Sequence, residues 1–127
     1  MLYEYACVCT AVHDGDTVTL DVDLGMGMWF RGEKYRLYGP DPAGRMGMNA
    51  PELPTPEGKV SANALRRMLV EAAVPGVQLR VQTVKDRKEK YGRYLAVLVV
   101  YGVKTGLVMR NINADMVAGG FAALKEY

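Results

Sequence analysis

Cysteine, tryptophan and histidine are scarce in this chain, with two, one and one among 127 residues. Cys7 and Cys9 stand one residue apart in a strand-like run, so both project from the same face. Such neighbours rarely form a disulfide, and two thiols alone make a poor metal site. They are expected to be small strand residues. His13, beside a turn, is expected at the surface rather than in catalysis. Long hydrophobic runs are missing too, since no segment reaches the ~18 apolar residues of a membrane span. The opening MLYEYACVC has no basic start, no long apolar run and no small-residue cleavage site, so the expected location is cytoplasmic. Charge of one sign is also lacking. A formal net charge of +2 does not by itself point to a polyanionic partner, so the distribution of charge must carry that case.

What is present is ordinary globular material: half the residues are hydrophobic and about a quarter charged, enough for one compact domain over residues 1–127. Tyr3 to Val12 is β-rich, and Thr17 to Leu24 alternates through Val18, Leu20, Val22 and Leu24. The HDGD between them carries an Asp-Gly turn, the strongest short hairpin signal. Trp29 to Tyr38 suits a third strand. Thr55 is a good helix N-cap, followed by Pro56 at the first helical position and Glu57 at the positive end of the dipole. Ala62, Leu65, Leu69 and Ala72 mark one helical face, and Pro75-Gly76 ends it. A fourth strand is expected through Val77, Leu79, Val81 and Thr83, then the charged KDRKEKYGR, then a fifth strand from Tyr94 to Tyr101. A short helix fits Met109 to Ala118, closed by Gly119-Gly120. Five strands with a helix between the third and fourth is the order of an OB-fold barrel, a mainly β fold with helices (α+β).

Three places attract chemistry. In DGDT, Asp16 starts a strand and can project its carboxylate beside the turn, one oxygen ligand of the several a hard cation wants. In YRLYG, Arg36 interrupts an apolar strand, and its planar fork can grip two phosphate oxygens if it faces a cleft. KDRKEKYGR holds five basic and two acidic residues. Its Arg93 enters a strand and its Tyr91 adds an aromatic face, the pairing of cation and ring that nucleic-acid grooves use. Between the second and third of these places lies GPDPAGRMGMNAPEL, residues 39 to 53, with three prolines, three glycines and an acid towards each end, Asp41 and Glu52.

The order DGDTV, RLYG, NAPEL, a helix opening with PEGK, and KYGRYLA resembles the staphylococcal nuclease-like (thermonuclease) family over about residues 8 to 122. The resemblance implies a five-stranded OB-fold and Ca²⁺-dependent hydrolysis of phosphodiester bonds in DNA and/or RNA. Carried over by motif, Arg36 and Arg93 are the arginines that bind the attacked phosphate, and Glu52 positions or deprotonates the attacking water. Asp16 is implied as a metal ligand, with Asn49 through its side chain and Ala50 through its backbone carbonyl. Lys90 and Tyr91 match positions lining the nucleotide site.

Two registers compete for the acid. Without a gap Asp41 takes the metal position, but Gly44 then stands where the glutamate should be. With an insertion, Asn49, Pro51 and Glu52 fall into place and the helix follows at the expected distance, which favours this register. Asn49 then stands where the best-known members have aspartate, leaving one negative charge fewer and a weaker cation site unless Asp41 folds back. The longer C-terminal helix of the family is absent or truncated, so a barrel completed by a partner chain is one expectation. Oligomeric state is open. Met26, Met28, Met46, Met48 and Trp29, in LGMGMWF and GRMGMNA, are candidates for base contact, with packing against the barrel the preferred expectation. The rival to an enzyme is the same barrel as a weak or inactive nuclease-like module that binds nucleic acid or protein without cutting.

Overall fold

Alternation lets a strand bury one face and wet the other, and here it builds a sheet long enough to close on itself. A computed structural model describes residues 2–39, 46–88 and 92–126. In chain order the elements are β1 (Leu2–Asp14), β2 (Thr17–Gly25), β3 (Met28–Leu37), β4 (Met46–Asn49), α1 (Pro56–Glu71), β5 (Val77–Lys88), β6 (Tyr94–Gly102), β7 (Val108–Asn111), α2 (Ile112–Ala118) and β8 (Ala123–Glu126). The main sheet runs β3-β2-β1-β5-β6-β7, and β3 also pairs in parallel with β6. That extra pairing closes a five-stranded barrel of β1, β2, β3, β5 and β6, with β7 hydrogen-bonded outside it to β6. The fold is mainly β with two helices, and α1 lies between the third and fourth barrel strands, as the sequence predicts.

The barrel interior follows the alternation. Val18, Leu20 and Val22 are at most 2 % exposed, whereas Leu24, past the end of the core, is 43 % exposed. Ala62, Leu65, Leu69 and Ala72 are all buried, and the last three lie in the same core cluster as the strand residues. Thr55 caps α1 by accepting from Gly58 N–H at 3.0 Å and donating its own hydroxyl to the Glu52 carbonyl at 2.6 Å. Gly15 is needed where the β1–β2 turn meets α1, because a Cβ there would lie 1.8 Å from Ser61 Oγ. Cys7 and Cys9 are free thiols on the inward side, Cys7 buried and Cys9 half-buried, and burial pushes the Cys7 thiol up to about 12.

β4, β5, β7, α2 and β8 differ from the pattern in the sequence. Val108–Asn111 is a strand, so the helix expected from Met109 begins only at Ile112. The reason is Asn111, whose side chain accepts from Ala114 N–H and so fixes the helix start. β5 continues through Lys88 into the stretch expected as a charged connection. The segment before Glu52 contains β4, paired antiparallel with β8 through Met48↔Leu124 and Asn49↔Ala123. One long-range tie sits in the core: buried Asn113 donates to the carbonyls of Tyr38 (2.8 Å) and Ala96 (3.0 Å) and accepts from Leu98 N–H (3.0 Å). It fastens α2 to the β3–β6 seam. No helix among the described residues is long and apolar enough to cross a membrane.

Candidate active site at the β1–β2 turn

Barrel closure decides which side chains meet. Arg36 is paired with Thr17 of β2 on one side and with Leu95 of β6 on the other. Arg93 precedes Leu95 by two residues, so both arginines arrive at the start of β2. There Arg36 Nη1 lies 3.2 Å from Asp16 Oδ2. Its Nη2 donates to the Met48 carbonyl at 2.9 Å and also to Asn49 Oδ1. Arg93 Nη1 donates to Thr17 Oγ1 at 3.3 Å, and that hydroxyl in turn donates to Asp16 Oδ1 at 3.1 Å.

The Asp16 carboxylate is almost wholly buried and fully engaged. Oδ2 takes Arg36 and, at 2.8 Å, the Ala50 N–H; Oδ1 takes the Thr17 hydroxyl. The backbone after β4 is therefore pinned to the β1–β2 turn, which brings Asn49 and Ala50 beside Asp16. Two guanidiniums gather around one carboxylate here, and the surplus positive charge suits an anion such as a phosphate.

Glu52 sits differently. It is exposed, and its carboxylate has no hydrogen bond or ion pair among the described residues. Its backbone is held: the carbonyl accepts from Thr55 N–H at 3.2 Å and from Thr55 Oγ1. A Cβ on Gly58 would lie 2.2 Å from that carbonyl, so the helix start packs directly on Glu52. Two residues span at most about 7 Å, which keeps the Glu52 backbone close to Ala50 and the acid corner.

The donor set of one carboxylate, one amide oxygen and backbone carbonyls is of the type a hard cation takes. In this structure the cation those oxygens surround is the Arg36 guanidinium. Asp16, Asn49 and Met48 all turn an oxygen to it, so any divalent ion taking the Asp16 and Asn49 oxygens would have to displace Arg36. Among the described residues no three His, Cys, Asp or Glu side chains form a metal cluster.

The structure thus brings Asp16, Arg36, Asn49, Ala50 and Arg93 together and leaves the Glu52 carboxylate at the surface nearby. Lys90, Tyr91 and Asp41 lie outside the described residues. Thr17 and the Met48 carbonyl are participants that the motifs alone did not single out; the threonine of DGDT was the available signal for the first. His13 hydrogen-bonds through Nε2 with Thr19 Oγ1 at 2.7 Å and takes no part in the corner. The two Gly-Met segments part ways: Met48 is fully buried, while Met26, Met28 and Trp29 are exposed around the β2–β3 hairpin, with Arg31 stacked 4.8 Å over the indole. No protein-family model matches this chain, and no curated protein matches it either.

Proposed function

We propose that this chain is a staphylococcal nuclease-like enzyme that hydrolyses phosphodiester bonds of DNA and/or RNA with the help of a divalent cation, Ca²⁺ in the first instance. The observation that carries it is the meeting of Arg36, on β3, and Arg93, just before β6, at the adjacent residues Asp16 and Thr17, where those two strands close the barrel. A phosphodiester is an anion that repels hydroxide, and its transition state places more charge on the equatorial oxygens. Two preorganised guanidiniums answer both problems. Arg93 already points its Nη1 to the corner, and Arg36 would exchange Asp16 and Asn49 for phosphate oxygens. Glu52, exposed and uncommitted, would hold a water in line and take its proton. The bound ion would supply Lewis-acid stabilisation of the phosphoryl oxygen. Asp16, Asn49 and the Ala50 carbonyl would hold it, and Lys90 and Tyr91 would line the nucleotide site.

A second reading has its own support. Arg36 is committed to Asp16 and Asn49, and nothing among the described residues anchors the Glu52 carboxylate. A module that holds nucleic acid without cutting it would look the same. Incubating single-stranded DNA and RNA with the protein in Ca²⁺, Mg²⁺ or chelator separates the two. Chelator-sensitive cleavage supports the enzyme; salt-dependent binding without cleavage in any metal supports the module.

A further inference from the structure

Tyr35 is 3 % exposed, yet its hydroxyl has no hydrogen-bond partner among the described residues. Burial, with smaller contributions from Glu33 and neighbouring tyrosines, raises the pKa of this phenol well above its ordinary value. No buried side-chain nitrogen or oxygen among the described residues lacks a hydrogen-bond partner, so this unpaired hydroxyl is one that solvent reaches, and a ligand can take it. Tyr35 lines a cavity of about 320 Å³ at one end of the barrel, together with Tyr3, Tyr5, Phe30, Thr83 and Tyr94. That volume is at the small end of ligand pockets.

The walls are aromatic on two sides. Tyr3 and Tyr5 of β1 stack with centroids 6.2 Å apart and planes 24° apart. Tyr35 and Tyr94, paired across the β3–β6 seam, lie 5.8 Å apart at 31°, and Phe30 meets Tyr94 edge-on at 6.0 Å. In the ring β3-β2-β1-β5-β6, β1 lies opposite that seam, so the two tyrosine pairs face each other across the barrel mouth. No charged side chain lines the cavity among the described residues, which disfavours an ionic ligand.

We propose that this barrel mouth binds an uncharged planar heteroaromatic ring, a nucleobase, between the two tyrosine pairs, with the Tyr35 hydroxyl hydrogen-bonded to the edge of the ring. Flat π surfaces favour stacking of any base, and the Tyr35 hydroxyl, unpaired among the described residues and open to solvent, supplies direction. The site is distinct from the Arg36–Arg93 corner and does not depend on phosphodiester cleavage. Its ring can come from a free nucleoside or from a base of a nucleic-acid strand.

Isothermal titration of adenosine, guanosine, cytidine and thymidine into the full chain tests it. Saturable binding of at least one nucleoside is expected, weakened about fivefold or more in Tyr35→Phe. The same variant should keep the parent's Tm, because the hydroxyl has no hydrogen-bond partner among the described residues to lose, and a purely structural tyrosine hydroxyl would not combine that with lost binding. Arg93→Met should leave the affinity unchanged. Leu24→Trp, which fills the exposed rim of the cavity, should abolish it, and this variant decides the matter if Tyr35→Phe does not fold. A short single-stranded oligonucleotide whose affinity falls in Leu24→Trp identifies a strand as the source; one that is insensitive identifies the free nucleoside. No saturable binding of any of the four, or unchanged affinity in folded Tyr35→Phe, overturns the proposal.

Discussion

Arg36 Nη1 lies 3.2 Å from Asp16 Oδ2, and the two side chains are only 17 % and 4 % exposed. The pair joins β3 to the β1–β2 turn, and the same carboxylate oxygen holds the Ala50 N–H. Removing the acid would leave a largely buried guanidinium without its counter-charge, with only the neutral oxygens of Met48 and Asn49, and the Ala50 N–H without its acceptor. Asp16→Ala is therefore expected to lose about 3–5 kcal/mol of stability in urea unfolding. A loss below ~1 kcal/mol would show the pair to be no stronger than a surface ion pair.

Because Arg36 occupies the oxygens of the proposed ion site, its removal should help the ion. Arg36→Met is expected to bind Ca²⁺ about tenfold more tightly than the parent when phosphate is absent, a change of ~1.4 kcal/mol. The same variant should cleave ~10²–10³ more slowly. Calorimetric Ca²⁺ titration reads the first effect without reference to activity. Weaker Ca²⁺ binding in this variant would remove the competition from the account.

Asn113 bonds α2 to both sides of the barrel seam from a fully buried position. Asn113→Leu leaves Leu98 N–H and the Tyr38 and Ala96 carbonyls short of a partner. About 2–4 kcal/mol should be lost, visible as a lower urea midpoint with little change in slope.

Glu4 carries a pH dependence. Partial burial raises the pKa of its carboxyl, but hydrogen bonds from Gln82, Arg80 and Tyr101 outweigh that, and the net shift is below the ordinary 4.5. A depressed folded pKa gives stability that is present above the unfolded value and lost as pH falls through the folded one. Glu4→Gln should therefore flatten the acid limb of the stability curve below about pH 4.5, with the parent and variant converging at the lowest pH. Identical acid limbs would mean that the Glu4–Arg80–Tyr101 cluster contributes no linkage.

Much of the barrel was legible because alternation and turn chemistry are local. Val18, Leu20 and Val22 announce β2, Thr55-Pro56 announces α1, and the structure agrees with both. Asp16, Arg36 and Arg93 could be singled out from short motifs, since an arginine inside an apolar strand is conspicuous. What escaped depends on distant partners. Met46–Asn49 has no branched residue to mark a strand and pairs only because β8 reaches it. Asn113 resembles any polar helix residue until the Tyr38 and Ala96 carbonyls are placed beside it. The end of β3 likewise hides its meaning: Tyr35 and Arg36 are neighbours in sequence, but alternation sends one into the barrel and the other to the acid corner.

The central claim is that Glu52 acts on water at a phosphate held by Arg36 and Arg93. Single-turnover cleavage of single-stranded DNA by Glu52→Ala, measured beside its affinity for the same strand, tests it most directly. The account predicts a rate lower by ~10²–10⁴ with affinity within about threefold of the parent and stability unchanged, since the carboxylate has no partner among the described residues to lose. Cleavage by Glu52→Ala at the parental rate would contradict it.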